Sequence, residues 1–346
     1  MDLTTRYLGL QLRNPIVASA GPLAGTVAGV RRLADAGAAA VVLPSLFEEQ
    51  LLREPGGEAE HTVLGTDDLA ATLDYLPPGG QRHGPRGYLE LIRKSAASVG
   101  VPVIASLNGF TTGGWTDYAA AMQEAGAAAI ELNLYFPQAD PLMSGQEVEL
   151  RHVEVLTTVK AAVSIPVAVK IGPAFSSPGQ MAMRLDHAGA DGLVLFNRFM
   201  QVGVDAETLS VNAAFELSRP ADAAVARAWI ARLRGRVKAS LAASSGVDQA
   251  GDVAAYLLAG ADVVMTTSAL LRHGPEHIGT LLDGLSAWMG RKGFTGLVQV
   301  RGMLADAAAG IGAQDVAGRG VVPEEQQRAA YLNALQKATS LYGPHA

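Results

Sequence analysis

GAAAIELN, residues 126–133, decides how the chain is read. It follows the helix-like YAAAMQEA of residues 118–125, and its glycine suits the left-handed turn that ends a helix. What comes after is a short β-rich run without alternation, the pattern of a strand covered on both faces. The phrase returns as GAAAVVLPS (37–45), GADGLVLFN (189–197) and GADVVMTTS (260–268), after VRRLADA, MAMRLDHA and VAAYLLA. A second phrase fills the gaps: NPIVASAG (14–21), VPVIASLNG (101–109), IPVAVKIGP (165–173) and RVKASLAASSG (236–246). In the first three a proline opens the strand, where a missing N–H matters least. Interleaved, the two phrases predict strands near 15–20, 39–45, 102–107, 128–133, 166–171, 192–197, 237–243 and 262–267, with helical segments between them. Eight β-then-α units predict an α/β chain folded as a (β/α)8 TIM barrel. A doubly wound sheet would need a break in the repeat, and there is none.

The 346 residues suit one barrel with additions. Residues 1–293 are expected to form it. Residues 46–88, rich in Pro and Gly, predict an excursion between strands 2 and 3. Residues 294–346 predict a helical tail packed on the barrel or at an interface, its helix begun by Pro323, Glu324 and Glu325.

Composition excludes several function classes. With 27 Lys and Arg against 33 Asp and Glu, the net charge of −6 and the lack of basic blocks argue against nucleic acid or an anionic membrane surface as partner. The absence of cysteine removes disulfides, thiolate catalysis and Cys-ligated zinc or iron–sulfur clusters. No uninterrupted apolar run reaches ~18 residues, and MDLTTRYLGL lacks a basic-then-apolar order, so a soluble, cytoplasmic protein is expected.

Barrel enzymes carry their chemistry at the C-terminal ends of the strands. Here those ends read Ala18-Ser19-Ala20-Gly21, Pro44-Ser45, Ser106-Leu107-Asn108-Gly109, Asn133, Lys170, Asn197-Arg198, Ser244-Ser245-Gly246 and Thr266-Thr267-Ser268. The set is small, polar and short of acids, which suits holding a flat polar ligand better than hydrolysing one. Ser245-Gly246 and Thr267-Ser268 each precede a helix and offer N–H groups and hydroxyls to a phosphate; the same residue types also serve as plain helix caps. Lys170 ends an apolar strand. It reads as a Schiff-base lysine, as a partner for an anionic flavin ring, or as a lysine reaching solvent. The amides of Asn133 and Asn197 suit imide or carboxylate edges, and asparagine is also a common turn residue.

Other motifs are absent or weak. There is no GxSxG, GxxxxGK[ST] or HExxH. GIGAQDVAGRG (310–320) lacks the third glycine spacing and follows no strand. Gly274-Pro275 interrupts the helix that would align His273 with His277, so those two predict a surface or capping role and no metal site.

Six of these stretches, NPIVASAG, IELN, IPVAVK, LVLFN, SSGV and TTSALLRHGP, occur in an order that resembles the FMN-dependent dihydroorotate dehydrogenase family, above all its soluble class 1 branch. The resemblance covers roughly residues 3 to 290. It implies that Ala18, Ser19 and Gly21 lie along the flavin, with Ser45 and Asn108 near its ring. It implies that Asn133 touches flavin and substrate, Lys170 pairs with the N1/O2 edge of the ring, and Asn197, with Arg198 beside it, contacts substrate. Ser245, Gly246, Thr267 and Ser268 would hold the FMN phosphate.

The departures are equally specific. Three positions after the strand-4 asparagine the family has a base, cysteine in class 1 and serine in class 2; here it is Phe136, which cannot take a proton. Pro44-Ser45 stands where the family has Lys followed by Ser or Thr. Its NxxGxxN substrate loop is missing, and LPPGGQRHGPRG supplies Arg82, His83 and Arg86 instead.

The expected function is therefore an FMN oxidoreductase acting on a CH–CH bond beside a carbonyl, with Tyr135 or a water handling the proton and a small-molecule substrate other than dihydroorotate. Three alternatives stay open: dihydroorotate oxidation with a base relocated to Asp140 or Ser144, a flavin-binding protein without turnover, and a flavin-free aldolase using Lys170. A homo-oligomer and an electron-transfer partner are expected.

Overall fold

Four glycines end the helices that feed four of the strands. Gly37, Gly126, Gly189 and Gly260 have φ of 112°, 99°, 95° and 116°, the left-handed region that glycine enters without a Cβ clash. The computed structural model describes residues 1–47, 84–109, 115–134, 142–198, 201–214, 216–305 and 324–342. Arg82, His83, Tyr135, Phe136, Asp140 and most of the expected excursion lie outside them.

An antiparallel hairpin, β1 (Thr5–Tyr7) and β2 (Leu10–Leu12), comes first. The barrel follows: β3 (Ile16–Ala18), β4 (Ala40–Val42) resuming as β5 (Leu46–Phe47), β6 (Val103–Asn108), β7 (Ala129–Asn133), β8 (Val167–Ile171) and β9 (Gly192–Leu195). An antiparallel pair that the sequence reading did not foresee, β10 (Gln201–Asp205) and β11 (Ser210–Ala214), intervenes before β12 (Ser240–Ala243) and β13 (Val263–Thr266). β4 and β5 both pair with β6, so they form one interrupted strand. With β13 on β3 and β3 on β4, eight parallel strands close into a barrel. Helices α1 (Val27–Asp35), α2 (Pro85–Ser98), α3 (Trp115–Glu124), α4 (Gly145–Ala162), α5 (Pro178–His187), α6 (Ala223–Leu233), α7 (Ala250–Ala259), α8 (Ser268–His273) and α9 (His277–Lys292) connect them. This is the expected (β/α)8 barrel.

Where the repeated phrase reads Gly-Ala-Asp, the aspartate ties its strand to the one before it. Asp191 Oδ2 accepts the Val167 N–H and Asp262 Oδ2 the Leu241 N–H, each at a strand start. Lys160 pairs with Asp191 at 2.7 Å, and Arg234 and Arg301 with Asp262 at 2.9 and 3.3 Å.

The N-terminal hairpin plugs the barrel floor. Its turn residues Leu8 and Gly9 both have positive φ, 53° and 75°, as a two-residue hairpin turn of the primed type requires. Leucine there is strained, and packing holds it. Tyr7, Leu8 and Leu12 bury against inward-facing Val17, Val42, Ile104, Val194 and Val263. An added Cβ at Gly192 would fall 2.5 Å from Leu8 Cδ2.

Residues 294–305 pack at this same end. Leu297 N–H donates to Asp2 O, Gly302 and Leu304 N–H groups to Leu257 O and Leu258 O, and Arg301 to the Thr5 hydroxyl. The tail helix, α10, spans Glu324–Tyr342.

His152, on α4, is 3% exposed, lies edge-on to Phe175 and bonds the Val148 carbonyl through Nδ1 at 2.7 Å. Burial pulls its pKa down to about 4, outweighing the carbonyl. Below pH ~6.5 the unfolded chain gains a proton that the folded chain refuses, so this contribution to stability is complete above 6.5 and is lost as pH falls towards 4. The loss should be on the order of 3 kcal/mol. Urea denaturation of wild type and His152→Leu at pH 7 and 4.5 should show the variant losing less stability between the two pH values; equal losses would refute this account.

Candidate active site

Strand alternation gives the barrel two interiors. Beyond the apolar floor, the inward-facing positions become Ser19, Ser106, Asn108, Glu131, Asn133, Lys170, Ser244 and Thr267. The ladder sets Asn108 opposite Asn133 and Asn133 opposite Lys170. Three predicted residues therefore stand side by side.

Asn197, just past β9, donates through Nδ2 to Asn133 Oδ1 at 2.7 Å. That bond fixes both amides: Asn133 is left with two N–H donors for a ligand, Asn197 with its oxygen and one N–H. Lys170 is 6% exposed, donates to Ser19 Oγ at 3.3 Å and stands 3.6 Å from Glu131 Oε1.

An open cleft of about 680 Å³, solvent at its mouth included, spans the ends of β3, β8, β9, β12 and β13. Ser19, Gly21, Lys170, Asn197, Arg198, Ser245, Thr267 and Ser268 line it. Ser245 and Gly246 both have positive φ, 78° and 68°. Among the described residues, no backbone or side-chain acceptor meets the N–H groups of Gly246 or Val247. Adjacent free N–H groups of this kind suit an anion. The hydroxyl protons point elsewhere: Ser245 Oγ donates to Phe196 O, and Thr267 Oγ1 to Ser19 O at 2.8 Å. Ser268 Oγ accepts from Ser218 N–H and Oγ, both at 3.0 Å. The amino terminus of α8 has no side-chain cap.

Other predicted residues stand apart from the cleft or already have partners. Ala18 faces the helices rather than the interior, leaving only its main chain for a ligand. Ser45 shares a hydrogen bond with Ser106 Oγ, on the neighbouring strand, at 2.8 Å. Arg198 bonds Asp222 Oδ2 and Glu216 O through Nη1, both at 3.2 Å, so its charge is half-engaged before any ligand arrives. Ser144 caps α4, accepting from Glu147 N–H and donating to Glu147 Oε2. The rings of His273 and His277 meet, centroids 4.7 Å apart, both against Asp248, despite the helix break at Gly274. No cluster of three metal-ligating side chains occurs among the described residues.

Sequence reasoning missed three contributors. Glu131 is a lone charge in an apolar strand, two residues before Asn133 and on the same face; that spacing was the available signal. Ser218 and Tyr88 carried none. Pro44 interrupts the ladder between β4 and β5, leaving the Ser106 main chain without a strand partner on that side. The buried Tyr88 hydroxyl, on α2, fills the gap, accepting from Ser106 N–H at 2.9 Å and donating to Ser106 O at 3.2 Å.

Fold and site define a TIM-barrel enzyme whose mouth carries a buried cation, paired amides and a turn suited to an anion. The chain belongs to the dihydroorotate dehydrogenase family, whose model matches residues 2–289. Among similar curated proteins, a catalytic subunit of dihydroorotate dehydrogenase B (NAD(+)) from Methanothermobacter thermautotrophicus is 29% identical, covering 88% of this chain and 99% of its own. A protein of the same description from Methanocella arvoryzae is 31% identical over 84% of this chain and 94% of its own. A putative dihydroorotate dehydrogenase A (fumarate) from Aeropyrum pernix is 25% identical over 87% and 97%. The family's enzymes are FMN-dependent oxidoreductases acting on CH–CH groups, and this chain is one of them. No helix among the described residues is long and apolar enough to cross a membrane.

Tyr88→Phe should leave the buried Ser106 N–H without a partner, costing about 1–3 kcal/mol. Urea unfolding followed by far-UV circular dichroism would measure it, and an unchanged midpoint would show that the hydroxyl bridge contributes nothing.

Proposed function

We propose that the chain oxidises or reduces a carbon–carbon bond beside a carbonyl in a substrate other than dihydroorotate. The observation that carries the substrate part is Phe136: three positions after Asn133, where the family keeps its proton-removing side chain, this chain has one that accepts no proton. Pro44, in place of the family's lysine, removes a second contact from the same side of the mouth.

The residues present fit FMN. Gly246 and Val247 N–H groups, with Ser245, Thr267 and Ser268 beside them, would hold its phosphate; Ser19 and Gly21 would flank the ring, and an N–H of Lys170 not taken by Ser19 would meet the N1/O2 edge. When bound, FMN supplies the two-electron chemistry, while the protein supplies binding, orientation and charge. Asn133 would donate to a substrate carbonyl while Asn197 accepts from an N–H or hydroxyl, and Asn108, Ser45 and Arg198 would close the remaining sides. Tyr135, a phenol, is the nearest proton donor in sequence.

The relatives' names favour a second reading, dihydroorotate itself. With Ser144 occupied as a cap, that reading needs Asp140 as its base. Their description as catalytic subunits supports a separate electron-transfer partner; lacking cysteine, this chain could not carry an iron–sulfur relay.

The purified protein should be yellow with FMN and should stay oxidised when dihydroorotate is added without oxygen. Its reduced flavin should be reoxidised by an α,β-unsaturated carbonyl compound. Bleaching by dihydroorotate would transfer the assignment to the second reading, and inertness towards every donor and acceptor would indicate a binding protein. A colourless protein that borohydride links to substrate at Lys170 would indicate an aldolase. Gly246→Val adds a Cβ 2.7 Å from Ala223 N at a positive φ, so it should weaken FMN retention at least tenfold on dialysis while circular dichroism stays native.

A further inference from the structure

The Glu131 carboxylate is the least supported charge in the barrel. It is 1% exposed, and neither oxygen has a hydrogen-bond partner among the described residues. It does not line the cleft; its ladder neighbours are Ser106 and Ala168, one layer beneath the mouth. The one cation beside it among the described residues is Lys170, 3.6 Å away. Tyr7, rising from the floor, has a buried hydroxyl that is also unpartnered, and Glu131 adds to the burial that pushes its pKa up. Tyr88 feels Glu131 in the same sense.

A carboxylate this deep, with no hydrogen bonds, is costly to keep ionised, so it calls for an explanation. Packing does not supply one, because a neutral side chain of the same volume would fill the space without the desolvation penalty. The ammonium it faces lines the cleft. Lys170 therefore has a carboxylate on its buried side and ligand space on the other.

We propose that Glu131 is a positioning residue for Lys170 that sets how much of the lysine's charge reaches a bound ring. This rests on the FMN reading above. A reduced flavin is negative along its N1/O2 edge, and an uncompensated ammonium there would favour it strongly. A carboxylate on the far side of the same ammonium cancels part of that field and holds the Nζ between Ser19 and the cleft. The two oxidation states are thereby held with closer affinities, so the ring can take electrons and pass them on.

The test is potentiometric titration of the FMN-loaded protein. Glu131→Gln should shift the oxidised–reduced equilibrium towards reduced flavin by about tenfold, which is about 30 mV for a two-electron couple. In a Lys170→Met background there is no ammonium field for the carboxylate to offset, so the same substitution should move the potential much less. A folded, yellow Glu131→Gln protein with an unmoved potential would overturn the inference, as would an equal shift in the Lys170→Met background. If Glu131→Gln does not fold, Glu131→Asp keeps the charge but draws it back from Lys170; it should give a smaller rise, and no rise would again overturn the idea. A colourless wild-type protein would remove the cofactor reading and this inference together, whereas a yellow one with an unmoved potential removes only this inference.

Discussion

Closure of the barrel is the constraint on which everything at its mouth depends. Val41 and Val42 meet Val103 and Ile104 on one side, and β13 meets β3 on the other, so each strand turns alternate residues inward. Because the side-chain period is two, a slip of one residue would send Lys170 and Asn133 into the helix layer and bring Val169 and Leu132 into the mouth. The aspartates at the Gly-Ala-Asp turns guard against such a slip. Asp191 and Asp262 each grip an N–H in the first two residues of a neighbouring strand, and their own lysine or arginine partners hold the carboxylates in place. Structure at the floor thus sets chemistry at the top.

One interior has to be a core below and a site above, and the two demands meet at Glu131. Beneath it the hairpin residues Tyr7 and Leu8 exclude water, which strengthens every electrostatic interaction above them. The Glu131–Lys170 pair is weak evidence for stability, since desolvating two charges offsets much of their attraction. Its position makes better sense as tuning: a charge that must not be neutralised by solvent is placed where solvent cannot reach.

The fold was legible because it is written four times. The glycine that ends a helix and the apolar run after it recur at 37, 126, 189 and 260, and the eight strands fall within a few residues of where these phrases put them. The residues of the mouth were legible for the same reason: strand ends are where such barrels act, and Ser19, Lys170, Asn197, Ser245 and Thr267 do converge on one cleft. What could not be read was long-range partnership. Nothing near Arg198 announces Asp222, nothing near Ser268 announces Ser218, and the Tyr88 bridge exists only because Pro44, forty-four positions earlier, breaks a ladder. The β10–β11 pair was missed because it belongs to no repeat. Ala18 shows the converse limit: a residue can sit at a strand end and still face outward.

The departures from the family pattern are not scattered. Pro44-Ser45 follows β4, the replaced substrate loop lies between β5 and β6, and Phe136 follows β7; in the sheet these strands are neighbours. The retained stretches sit on β8, β9, β12, β13 and β3, which are neighbours in turn and enclose the cleft. One arc of the barrel therefore keeps the features that suit a phosphate and a ring, while the opposite arc, where a substrate would meet that ring, has been rewritten. β7 stands at the boundary: it ends at Asn133, tied by its amide to the retained side, and Phe136 follows three positions later in the sequence. A scaffold that had lost its function would be expected to drift on both arcs, above all at buried charges such as Glu131 and Lys170, which are costly to keep. Departures gathered on one arc, with the cleft lining kept on the other, agree with the proposal that a retained cofactor serves a different substrate.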